Sequence, residues 1–138
     1  MKDIIKTAVI DGHEISMAYT VTAMIAINKL LKQDDGESLE LVPVILGDDP
    51  DTFELFTEIV EILNYSGELL RKSRGLDDGE SLSAARIRAA LSPKDLLTLK
   101  KAAMDTIIAG LGREENNSEV DMGLAELEKK NPRRRRKS

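Results

Sequence analysis

A chain of 138 residues with 20 basic and 25 acidic side chains has the size of one domain and a net negative charge. The absence of cysteine excludes a disulfide scaffold, a thiolate metal site and a cysteine nucleophile, and it suits a reducing compartment. No apolar run approaches the ~20 residues of a membrane span, and residues 1–12 place charges too close to their few apolar side chains for a signal peptide. A soluble chain retained in the cytoplasm is expected.

The charge is divided unevenly. Eight basic and six acidic residues lie from Arg113 onward, which leaves the first 112 residues with 12 basic and 19 acidic, a net of -7. The last ten residues hold seven basic groups and no acid. An acidic body disfavours general nucleic-acid binding, because phosphate contacts need a basic surface. Tyr19, Phe53, Phe56 and Tyr65 are the only aromatic residues, too few for base-stacking platforms.

Residues 4–19 predict a β-hairpin. An apolar, β-branched run reaches Ile10, Asp11-Gly12 is a strong turn dipeptide, and Glu14, Ser16 and Ala18 alternate with Ile15, Met17 and Tyr19. His13, the single histidine, stands beside the turn. Alone it builds neither a metal site nor a nucleophile–base pair, and a solvated turn residue is expected. Thr20 or Thr22 then caps a helix through about Gln33, with Ala23, Ile27, Leu30 and Leu31 as its stripe. Residues 38–46 read as an edge strand or a short helix around Pro43. The helix is preferred, with Ser38 as cap and Leu41, Val42 and Ile45 as its face.

Asp49-Pro50 opens the next helix, whose apolar face is Phe53, Phe56, Ile59, Val60 and Leu63. Its pattern continues to Gly75, with Ser66-Gly67 a candidate kink or division. A short helix over 83–91 leads into residues 92–112, the strongest helical signal of the chain. Ser92 caps it, Pro93 and Asp95 suit its first turn, and Gly110 and Gly112 stop it. Leu96, Leu99, Ala103 and Ile107 form its stripe, widened by Leu97, Met104, Ile108 and Leu111. So broad a stripe predicts the inner helix of a small bundle.

Beyond Gly112 the sequence turns polar and loses its period, as a linker does. Val120, Leu124 and Leu127 then fall at i, i+4 and i+7 on a segment too short to hold as an isolated helix. They are the candidate partner-binding residues, free to dock on the body or to await a partner. The fold expected is α+β and predominantly α-helical: an N-terminal β-hairpin packed on a small helical bundle over residues 1–112. Residues 113–138 are expected to be a disordered, flexible tail with a basic end.

No catalytic constellation emerges, and no cofactor or metal is expected. Glu54, Glu58 and Glu61 read as a solvated helix face. Neither a phosphate-binding glycine loop nor a nucleophile elbow is present. The string DDGESL occurs at 34–39 and at 77–82, which turn chemistry explains better than an ancient duplication. Neither copy has the spacing of a calcium loop. Residues 83–91 and 92–112 have the outline of a helix-turn-helix, but the second helix is apolar over most of its girth, which suits burial better than a major groove.

The order of a short IDGHEISMAYT hairpin, TAMIAINKLL, GDDPDTFELFTEIVEIL and LSPKDLLTLKKAAMDTIIAGLG resembles the tail assembly chaperones of long-tailed bacteriophages and prophages. The resemblance covers residues 4–112 and is one of pattern. It implies a protein of the bacterial host cytoplasm that holds the phage tape-measure protein soluble, recruits tail-tube subunits and is absent from the finished virion. It also implies a second, frameshifted form, and Lys129-Lys130-Asn131 can be encoded by a slippery adenine run. Self-association stays open; neither membrane nor nucleic acid is an expected partner. The other class in play is a small DNA-binding regulatory protein using the helix pair and the arginines at 133–136. An enzyme is the weakest class.

Overall fold

A computed structural model describes residues 3–33, 35–77 and 79–112. Among these residues the chain folds as a small α+β protein in which an N-terminal antiparallel hairpin packs on five helices. Strands β1 (Lys6–Ile10) and β2 (His13–Met17) pair in the register Ile10 to His13 and Ala8 to Ile15. Asp11 and Gly12 both take positive φ, 50° and 81°, the geometry that matches a two-residue turn to the twist of its strands. One face is buried through Ala8, Ile10, Ile15 and Met17, but the expected alternation stops after Glu14: Ser16 and Ala18 are buried as well, because α3 covers the other side of β2.

Helix α1 (Val21–Leu31) starts at Thr20, whose Oγ1 accepts from the Ala23 N–H at 3.2 Å, and it buries Ala23, Ile27 and Leu31. It ends two residues short of Gln33, because Lys32 turns extended and bridges to Ser38. Ser38 pairs with Lys32 in that backbone bridge, two residues before α2 begins, and so does not cap it. The short helix α2 (Leu41–Leu46) begins instead at Glu40 and buries Val44 and Ile45, while Val42 faces out. Pro43 fits there because a first-turn N–H has no intrahelical partner to lose.

The central element is α3 (Pro50–Ser73). Asp49 caps it, Oδ1 accepting from the Thr52 N–H at 2.9 Å. It runs unbroken past Ser66-Gly67 and packs on β2, α1, α2 and α4. Gly67 is a contact residue: an added Cβ would lie 2.5 Å from the Ser16 carbonyl oxygen, so only glycine lets β2 lie this close. The Ala18 N–H donates to the Leu63 carbonyl at 3.0 Å across the same seam.

Helix α4 (Ala84–Ala90), capped by Ser83, packs on α3. Helix α5 (Pro93–Leu111) is capped by Ser92 and stopped by Gly112 at φ 76°. It packs chiefly on β1 and also on α2, and it buries Leu99, Ala103, Thr106, Ile107 and Ala109. The expectation of an inner helix fails: Leu97 and Leu111 are exposed, and α3 holds the centre. Gly110 lies within α5 and stops nothing; it admits the Tyr19 backbone, whose carbonyl oxygen an added Cβ would strike. Side chains from the hairpin and all five helices join one buried cluster.

The two DDGESL copies differ in conformation. Gly36 has φ 90° whereas Gly79 has no positive φ, and Leu39 is exposed whereas Leu82 is buried. Asp34 and Asp78 lie outside the described residues, as does the expected tail, 113–138.

Candidate partner-docking groove

The polar side chains of the interior act on the backbone. Asn64, fully buried on α3, donates through Nδ2 to the carbonyls of Ser16 (2.9 Å) and Glu80 (3.1 Å), and its Oδ1 accepts from the Leu82 N–H (2.9 Å). One amide thus joins hairpin, central helix and the loop before α4. Buried Glu68 accepts from the Gly79 N–H at 2.8 Å, and Arg88 donates to Thr57 Oγ1 at 2.8 Å. Glu61 was expected on a solvated face. It is exposed, yet its Oε1 accepts from the Ala84 N–H at 3.0 Å and supports the start of α4.

His13 also departs from expectation. It is half-exposed, with Nδ1 3.2 Å from Glu80 Oε2 and Nε2 3.4 Å from the Arg86 guanidinium. A neutral ring protonated on Nδ1 donates to Glu80 and accepts from Arg86, so the residue ties the hairpin turn to α4. Among the described residues, two groups have displaced pKa values. The Ile5 N–H, helped by Arg74, holds the Asp3 carboxyl below its ordinary value, and burial pushes the Tyr19 phenol up. Neither borders the groove described next.

Where α5 crosses the junction of α2 and α3, the surface opens into an apolar groove of about 840 Å³. Leu46 and Phe53 form one wall, and Leu96, Leu97 and Met104 form the other. Leu97 is 70% exposed and Leu46 56%, and Val42 stands open on the same short helix. Lys100 fixes the two walls by donating from Nζ to the Gly47 carbonyl at 2.8 Å, its stem lying in the groove. Asp48 and Asp49 edge one side; Lys101, paired with Asp105 at 3.1 Å, edges the other.

The volume matches small-molecule sites, but those converge several polar groups on a ligand. Here Lys100 is spent on a backbone carbonyl and Lys101 on Asp105, and the apolar lining is aliphatic with one phenyl ring. An open apolar trough between helices suits the apolar face of another helix. Among the described residues no group of three His, Asp or Glu side chains can hold a metal, and no helix is long and apolar enough to cross a membrane.

The candidate residues Val120, Leu124 and Leu127 lie outside the described residues. The groove itself was missed by sequence reasoning. Its signal was present in Leu97 and Met104, which extend the α5 stripe beyond what one packing face can cover. Helices α4 and α5 do not pair closely across their turn, since α4 packs on α3 and α5 on β1. No family model, curated protein or solved structure matches the chain.

Proposed function

We propose that this protein is a tail assembly chaperone of a long-tailed phage or prophage. It binds the tape-measure protein in the host cytoplasm, keeps it soluble and helps to recruit tail-tube subunits, without joining the virion. The observation that carries the reading is the open apolar groove between α5 and the α2–α3 junction, on a body with a net charge of -7. A holding chaperone needs both properties: an apolar surface engages the client and net charge keeps the complex dispersed. A tape-measure protein is long and helical, and amphipathic helices are what such a groove accepts. The order of hairpin and capped helices, on which the resemblance rests, supports the same reading.

Affinity purification from cells that express this chain with the neighbouring tail genes tests it. The tape-measure protein should be retained by the native chain and lost with Leu97→Asp, which puts a charge in the groove wall without touching the core. Retention by both would remove the groove from the interaction. A salt-sensitive shift of duplex DNA, abolished by deleting the arginines at 133–136, would favour the DNA-binding regulator instead.

A further inference from the structure

We propose that in the client-free protein the groove accepts helix α1 of a second copy of this chain, so that copies associate head to tail. The contact uses the groove that the chaperone reading assigns to the client, and its test needs no client, so each stands or falls separately.

The entering ridge is the outward face of α1 and its cap. Val21, Ile25, Lys29 and Lys32 are all exposed and follow at i, i+4, i+8 and i+11, which places them on one face. Val21 is 68% exposed and Ile25 51%, an apolar pair at the spacing that anchors a helix in a groove. The face thus runs from apolar to basic. Helix α1 contains no acidic residue, although the first 112 residues carry a net charge of -7.

The groove has the complementary arrangement. Leu46, Phe53, Leu97 and Met104 supply apolar walls, and Asp48 and Asp49 edge one side. With Val21 and Ile25 between the walls, Lys29 and Lys32 follow about 6–10 Å further along the helix, within reach of that edge. Among the described residues none of these four charges takes part in a salt bridge. The contact therefore pairs charges that each copy leaves without a counter-charge. Opposite potentials across a contact fix its register and suppress wrong partners.

Position excludes a symmetric pair. The groove lies at the amino end of α3, with Pro50 and Phe53 in its lining. The start of α1 sits towards the other end, where Thr20 and Thr22 share a small pocket with Ser66, Leu69 and Leu70. Phe53 and Leu69 are about 24 Å apart along the helix. Two different patches that fit each other make a heterologous contact, which links copies in series instead of closing a two-fold dimer. None of the groove's lining residues comes from α1, so a copy can offer its ridge while its own groove is filled. A one-helix contact is small, and interfaces below about 1,200 Å² are weak and transient. On the chaperone reading, a longer client helix displaces it. Until then it covers Leu97 and Val21, which otherwise invite non-specific association.

Sedimentation of the full chain, up to about 1 mM, tests the proposal over the range of weak contacts. The native chain should form species larger than dimers. Ile25→Asp and Leu97→Asp, both at exposed positions, should each be monomeric with an unchanged melting curve. An equimolar mixture of the two variants should form dimers and nothing larger. Only the ridge of the Leu97→Asp chain and the groove of the Ile25→Asp chain are then intact. Lys29→Glu should weaken that dimer severalfold when added to the Leu97→Asp chain and leave it unchanged when added to the other. A native chain that stays monomeric or stops at dimers overturns the proposal. So does association that persists in either single variant, a mixture that stays monomeric, or an equal effect of Lys29→Glu in both chains.

Discussion

Asn64 bonds three backbone groups, the Ser16 carbonyl and the Leu82 N–H in buried contacts and the Glu80 carbonyl in a part-buried one. Each orphaned buried group costs about 1–3 kcal/mol. Asn64→Ala should therefore destabilise by about 2–4 kcal/mol in a denaturant melt, and a loss well under about 1 kcal/mol would show that water replaces the amide. Gly67 makes the opposite argument from space. Alanine raises helix propensity by about 1 kcal/mol, but its Cβ meets the Ser16 carbonyl, and overpacking costs about 1–3 kcal/mol. Gly67→Ala should lower the melting temperature despite the better helix former; a rise would mean that β2 can withdraw from α3. Leu99 and Leu97 contrast within one helix. Leu99 is 1% exposed, so Leu99→Ala should cost about 2–5 kcal/mol, whereas Leu97→Asp on the open face should change stability by about 0.5 kcal/mol or less.

Helix starts were the most legible elements, because their chemistry is local. Thr20, Asp49, Ser83 and Ser92 each cap a helix through a bond to the N–H three residues on, and Asp11-Gly12 makes the turn by its positive φ values. What a helix packs against is not local, and a periodic stripe does not reveal it. Helix α5 looked innermost because its apolar positions outnumber those of one face; the excess, Leu97 above all, is the wall of the groove. Helix α3 carries Asn64, Gly67 and Glu68 at buried positions, where a periodicity count sees interruptions. Those residues mark the centre because the hairpin and the loop at 77–82 press on them. Ser38 has the composition of a cap but stands opposite Lys32 in a backbone bridge, two residues before the Glu40 start of α2. The groove was half legible: its α5 wall stood in the sequence as surplus stripe, and its other wall needed the α2–α3 junction folded against it.

For the molecule as a whole, the account joins an acidic body, an open apolar groove and a sequence pattern resembling the tail assembly chaperones. The polar clusters of the interior fasten the hairpin, α3 and the start of α4 to one another, and the separate Lys100–Gly47 bond ties the two walls of the groove. Its central claim is that the groove holds a long helical client in solution. The most direct measurement is the soluble fraction of the tape-measure protein of the same genome, expressed alone, with this chain, and with its Leu97→Asp variant. The account predicts a largely soluble tape-measure protein with the native chain and a largely insoluble one both alone and with the variant, whose own melting curve stays unchanged. A tape-measure protein equally insoluble with and without the native chain would contradict it.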